Sequence, residues 1–355
     1  IYALRHRVRL FAFLFTAEAA VPTLVYAALL TVAMGLTRQV APYERAIDPI
    51  GLTRMLSFWP FVFIYARLAG IVGLIALRQI LHFRLREVPS LLSHLGLFIA
   101  IVAATLGSAD MERVKLKAST DMPEWRATHE QGFTELPLAI QLEKFTIDEY
   151  PPKLLLINSQ TGKSIPAKNP EIVLVDKHFR EGKLLQWRIR VRQNLPLAAP
   201  VITSDTTNYV AWGSSGAVTA LLVEAQRMEG DRPVGKPQVG WVTCGSYLFP
   251  FQELKLTKEL SLVMARREPE RYASRIHIYT ESQKNIIATV EVNKPVTVDG
   301  WKIYQLSYDE AMGRWSETST FELVKDPWLP AVYVGIYLLL AGAILTFIVS
   351  QKKRR

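Results

Sequence analysis

His94 is the side chain whose setting most needs a chemical explanation, because it stands in Leu91-Leu92-Ser93-His94-Leu95-Gly96-Leu97, near the start of an apolar run. An imidazole among lipid tails is costly unless something holds it. Three holders suit its position. It reaches the inner headgroups by snorkelling from a depth of ~4.5 Å, it hydrogen-bonds to a neighbouring helix, or it ligates a metal centre through a ring nitrogen.

The neighbouring residues sharpen the third option without closing the other two. Phe98 and Ile101 lie four and seven residues beyond His94, on the same helical face, where they could wall an apolar disc-shaped ligand. Haem b is such a ligand, and an imidazole nitrogen is its commonest axial donor. Arg78 lies at a similar depth in the preceding apolar run, where it either meets a haem propionate or snorkels to water. Glu18 and Arg67 are the other ionisable groups in apolar runs. Counted from the inner ends they lie ~12 Å and ~21 Å deep, so a direct pair needs tilt, and both read as structural or partner-facing.

Four membrane-spanning helices must position these groups. Residues 91–107 carry no Asp, Glu, Lys or Arg and reach roughly 25 Å, enough for a hydrocarbon core. Residues 10–36 contain only Glu18, residues 58–81 only Arg67 and Arg78, and residues 329–349 no charge. Arg5, Arg7 and Arg9, then Arg84 and Arg86, then Lys352, Lys353, Arg354 and Arg355 all fall on one side, which the positive-inside rule makes cytoplasmic. Both termini are then inside. The loop 37–57, with Arg38, Arg45 and Arg54 against Glu44 and Asp48, fits the outer side, and so does the stretch 108–328. The first run is too long for a signal-peptide core and shows no small-residue cleavage site, so it stays in the mature protein. The sequence begins at Ile1 rather than Met, as a piece of a longer protein would.

The expected fold class is α+β: three transmembrane helices in 1–107, an extracytoplasmic, mostly antiparallel, sandwich-like β-domain over 108–328, and a fourth helix with a basic tail over 329–355. Leu138, Ile140 and Leu142, and again Trp187, Ile189 and Val191, alternate with polar neighbours as strands do. Asp299-Gly300 between Val296-Thr297-Val298 and Trp301-Lys302-Ile303 predicts a hairpin. Residues 217–226 read as a strand or a short helix.

Composition and motifs exclude several activities. Half the residues are hydrophobic and 21% charged, which suits part membrane and part water-exposed domain. Much of the net charge of +10 sits beside the helices, where it sets topology and meets anionic membrane lipid rather than nucleic acid. The single cysteine, Cys244, offers no Cys-x-x-Cys pair for thiol reduction or covalent haem attachment, and reads as a small buried side chain. No P-loop, Gly-x-Gly-x-x-Gly or His-Glu-x-x-His occurs. Asp148-Glu149 and Asp309-Glu310 are adjacent on strands and so point to opposite faces, which argues against shared acid-base work and makes the domain's charged residues structural.

Resemblance adds what spacing cannot. Tyr272-Ala273-Ser274-Arg275, Val292-Asn293-Lys294-Pro295-Val296, Gly300-Trp301-Lys302-Ile303-Tyr304-Gln305-Leu306-Ser307-Tyr308-Asp309, and Asp326-Pro327 leading into the last helix resemble the ResB/CcsB family of system II cytochrome c biogenesis. The order of three helices, one large domain and one helix is similar too, and His94-Leu95-Gly96-Leu97 resembles the family segment whose histidine is a transmembrane haem ligand. The resemblance implies a subunit of a holocytochrome c synthase that binds and helps export haem and holds apocytochrome c. A tryptophan-rich CcsA-type partner would supply the second axial ligand and the attachment site. The eight tryptophans here are scattered, which places that site on another polypeptide or on a continuation after Arg355. The bacterial cytoplasmic membrane is the expected location, and the thylakoid also fits. Residues 196–245 match nothing in the family pattern. The competing reading is a membrane-anchored scaffold whose β-domain docks partners without haem, and a weaker third is an envelope transport or co-polymerase subunit.

Overall fold

Three apolar segments and a fourth after the β-domain form helices wherever the sequence lets backbone polar groups close on themselves, the condition for crossing lipid. The computed structural model describes residues 9–40, 45–129, 132–203 and 206–352. Arg5, His6, Arg7, Glu44, Lys353, Arg354 and Arg355 lie outside the described residues. The helices are α1 (Arg9–Phe13), α2 (Ala17–Leu36), α3 (Trp59–Leu81), α4 (Val88–Asp110) and α5 (Leu329–Lys352). The last four are long and apolar enough to cross a membrane, and the chain is a multi-pass membrane protein.

Two boundaries differ from those expected. The run 10–36 is not one helix: the chain turns after Phe13, and Thr16, in extended conformation, caps α2 by accepting the Ala19 N–H at 3.3 Å. A threonine cap outcompetes helix continuation here, and it puts Glu18 in the first turn, exposed, where a carboxylate opposes the positive end of the helix. The helix expected from 91 begins instead at Val88. Pro89 stands in its first turn, where a proline loses no intrahelical hydrogen bond.

Small residues bring α4 and α5 into backbone contact. A Cβ on Gly335 would stand 2.6 Å from the Ala100 nitrogen and 2.8 Å from the Gly96 oxygen, and one on Gly342 would stand 2.7 Å from the Pro89 oxygen. Glycine is needed because the helices otherwise could not approach so closely. Asp326 Oδ1 accepts from the Trp328 and Leu329 N–H groups at the start of α5, and Trp328 Nε1 donates to Asp110 Oδ2 at 2.6 Å, which clasps the end of α4. On the other side of α4, Phe98 lies over Gly73 of α3, and Ala27, Leu68 and Val72 join α2 to α3. The α2–α3 loop is pinned by Asp48, whose carboxylate accepts from the Thr53 hydroxyl and from the Thr53, Leu52 and Gly51 N–H groups; these bonds hold its pKa well below the usual carboxylate range.

The β-domain, residues 113–325, is a compact unit of its own. One eight-stranded sheet runs, edge to edge, through Asn285–Glu291, Pro269–Thr280, Gly132–Glu149, Glu124–His129, Glu112–Ser119, Thr318–Lys325, Trp301–Tyr308 and Val296–Val298. Asn285–Glu291 also touches Val296–Val298 and Trp301–Tyr308, so the sheet curls around a core holding Ile140, Leu142, Trp301 and Phe321. The hairpin predicted at Asp299-Gly300 is present, with φ of 46° and 86° at its two turn residues.

Two smaller sheets make the sandwich. Lys153–Asn158 and Leu260–Met264 face Trp187–Thr203 and Val218–Glu229 across a second core of Leu154, Leu156, Trp187, Ile189, Leu221 and Leu262. The ambiguous stretch 217–226 is strand from Val218 onward. Val218–Glu229 is central, antiparallel to Trp187–Thr203 on one side and to Arg232–Thr243 on the other, and its start is buried at successive residues. That double burial erases the alternation by which a strand is read. Substituting Gly335→Val should push α5 off α4 at a cost of about 1–3 kcal/mol, seen as a lower Tm of the detergent-purified protein; an unchanged Tm would mean the helices are not in backbone contact.

Candidate functional site

Residue type and spacing set the immediate surroundings of His94. Ser90 lies one turn before it on α4, and Gln79 faces it from the last turns of α3. His94 Nδ1 is 3.2 Å from Gln79 Oε1 and 3.2 Å from Ser90 Oγ, while Gln79 Nε2 donates to Ser90 Oγ at 2.9 Å. An amide oxygen can only accept, so in the neutral imidazole paired with it Nδ1 carries the hydrogen and Nε2 keeps the lone pair. Among the described residues no hydrogen bond reaches Nε2, and the imidazole is half-buried. The expectation that His94 bonds to a neighbouring helix therefore holds at one nitrogen, and the other is left able to ligate.

The other expected site residues divide. Phe98 and Ile101 share the His94 face of α4 as the helical spacing requires, and both are half-buried, packed on the α2–α3 cluster. Arg78 is exposed in the last turn of α3 and does not take part in the His94 hydrogen bonds; its neighbour Gln79 does. A 100° step per residue separates the two directions. Arg67 makes no ion pair with Glu18; its Nε is buried without a hydrogen-bond partner among the described residues, and the Phe13 ring lies 6.0 Å from its guanidinium carbon. Gln79 and Ser90 escaped sequence reading. The available signal was a glutamine and a serine at matching depth, with Ser90 four residues from His94.

The β-domain holds a second arrangement that the sequence does not announce. Asp148 and Glu149 do diverge: Asp148 meets Arg271 at 2.7 Å, while Glu149 turns to Arg314 at 3.3 Å and Arg267 at 3.7 Å. Arg267 donates through Nε and Nη2 to the Tyr150 oxygen at 3.0 and 2.7 Å and through Nη1 to Thr219 Oγ1 at 2.9 Å. Arg314 Nη2 and Trp315 Nε1 both reach the Ala217 oxygen at 3.2 Å. These bonds join the curled sheet to the sandwich, and beside them opens a cleft of about 810 Å³ that includes Cys244. The side chains of Glu149, Arg267 and Arg314 are 18%, 14% and 22% exposed, so the trio is largely removed from water and each member needs the others.

Cys244 is half-buried rather than fully enclosed, and its surroundings work against the thiolate. Burial raises its pKa first, and the Glu149 carboxylate raises it further, against the opposing pull of Arg267. Alkylation of Cys244 should therefore be slower at pH 7.5 than that of a free cysteine and climb as pH rises past the thiol's elevated pKa. Glu149→Gln removes a charge that disfavours the thiolate, so its rate at any one pH in that range should rise; a fall would show that Glu149 does not act on the thiol through charge.

No curated protein matches the chain. Residues 242–319 match the model of the ResB-like family. The matched stretch lies within the β-domain and includes the Tyr272–Arg275 and Val292–Asp309 motifs, and it does not extend to His94 or to α5. This part of the β-domain is thus similar to the ResB-like family, in a chain that carries four apolar helices around one β-domain.

Proposed function

We propose that this protein is a membrane subunit of system II cytochrome c biogenesis in which His94 binds haem b as cargo, sharing it with a CcsA-type tryptophan-rich partner. The observation that carries the reading is the placing of His94 Nδ1 at 3.2 Å from both Gln79 Oε1 and Ser90 Oγ. Nδ1–H is committed to Gln79 and Ser90, and an imidazole whose far nitrogen is held by an acceptor presents Nε2 as an oriented, more basic ligand. Such an outer hydrogen bond is the usual accompaniment of metal-ligating histidines.

The residues present fit haem on one side. His94 offers one axial nitrogen, the half-exposed edges of Phe98 and Ile101 offer apolar wall, and Arg78, exposed near the same helix end, is the propionate contact. The second axial ligand and the opposite wall fall to the partner. By the positive-inside rule His94 lies in the cytoplasmic half of a bacterial inner membrane and the β-domain is extracytoplasmic. There the domain holds apocytochrome c while covalent attachment occurs on the partner, so this chain positions substrates rather than making the thioether bonds. Bound haem contributes the iron and vinyl chemistry of that reaction. The scaffold reading draws on the same hydrogen bonds: an imidazole already tied to Gln79 needs no iron to be tolerated in lipid.

The spectrum of the protein co-purified with its partner separates them. A b-type Soret band should weaken in His94→Ala and partly return with added imidazole, while Gln79→Leu should keep the band shape and lower haem affinity about 10–100-fold. An unchanged His94→Ala spectrum removes His94 from the site and favours the scaffold. Normal levels of c-type cytochromes after deletion of the gene would overturn the biogenesis reading itself.

A further inference from the structure

The β-domain cleft is lined by charged groups of two kinds. Arg267, Arg314 and Glu149 are used in joining the sheets, and Glu268 is held by Lys153 at 2.6 Å. Arg266 and Glu310 differ: both are exposed, both line the cleft, and neither has an ion pair or hydrogen bond among the described residues. Tyr308 lines the same cleft. Its ring is backed by Phe145 at 4.7 Å and by Tyr272 at 5.5 Å, so it forms a rigid aromatic floor. A floor with one free cation and one free anion beside it suits a ligand that is itself dipolar and apolar in the middle. A dianionic ligand would meet Arg266 favourably and Glu310 unfavourably.

The geometry points to a polypeptide-binding cleft: we infer that it takes an extended segment of unfolded chain, an apolar or aromatic side chain resting on Tyr308 between an acidic residue facing Arg266 and a basic one facing Glu310. The volume of about 810 Å³ admits several side chains and no folded domain. Arg266, Tyr272, Tyr308 and Glu310 all fall within the stretch matched by the ResB-like model, 242–319. The inference rests on the proposed reading that the domain handles apocytochrome, and it names where.

Cys244 makes the test direct, since it lines the cleft and is the only cysteine in the chain. The probe is a haem-free cytochrome c polypeptide with its cysteines changed to serine, added to the detergent-purified protein while N-ethylmaleimide modification of Cys244 is followed by mass. At ten times the Kd read from fluorescence anisotropy, modification should slow about tenfold. Arg266→Glu and Glu310→Lys, each at an exposed residue with no ion pair or hydrogen bond among the described residues, should each raise the probe's Kd about fivefold and relieve the protection. A probe that binds yet leaves the Cys244 rate unchanged overturns the cleft and leaves apocytochrome docking standing. A probe that does not bind overturns both. Protection by haemin alone, equal in the two variants, would make the cleft a small-molecule site and overturn the inference.

Discussion

Hydrocarbon offers no hydrogen bonds, so each polar group among the spanning helices must find its partner in the protein, and most of the helical unit follows from that demand. The hydroxyls of Thr23, Thr31, Thr105 and Thr346 return to the carbonyl four residues back, at 2.7 to 2.8 Å. The glycines of α4 and α5 let two backbones meet where lipid could not be expelled by hydrophobicity alone. His94 is subject to the same rule. Gln79 and Ser90 satisfy one of its nitrogens, and by doing so they choose the tautomer that leaves the other nitrogen free. Phe98 over Gly73 packs α4 on α3 one turn beyond His94.

The β-domain answers to water instead, and its organisation is that of two hydrophobic cores joined by a polar seam. Each core is made by inward residues of antiparallel strands, and between the cores the chain passes as Glu149-Tyr150 and again as Arg266-Arg267-Glu268. Backbone carbonyls at such a crossing have no strand partner. Arg267 and Arg314, with several donors each in a fixed fork, satisfy the carbonyls of Tyr150 and Ala217 together with the Glu149 carboxylate. Removing either arginine would leave a half-buried carboxylate and carbonyls unpaired, a larger loss than the pair itself contributes. The cleft is what this seam leaves open.

The two units thus place function differently. In the helices a single imidazole is prepared by two hydrogen bonds made at the expense of its own freedom to snorkel. In the β-domain a free cation and a free anion stand apart from neighbours that are engaged in structure. Both are recognisable by what their partners leave unused.

Much of the fold was legible without coordinates. Apolar runs of spanning length, alternation at Leu138 to Leu142 and Trp187 to Val191, and the Asp299-Gly300 turn depend on local chemistry and period, and helices, strands and a hairpin form there. His94 was legible too, as a polar group out of place. What failed locally failed for a local reason: Thr16 caps where hydropathy runs on, and Pro89 sits in the first turn of a helix that begins before the uncharged run. The pairing of Gln79 with His94, and the meeting of Glu149, Arg267 and Arg314 across more than a hundred residues, were decided only by tertiary structure. Periodicity reports which way a side chain points on its own element, and it carries no information about which distant element is packed opposite. A hydrogen bond between elements belongs to the packing, and so do the tautomer at His94 and the cleft at Tyr308.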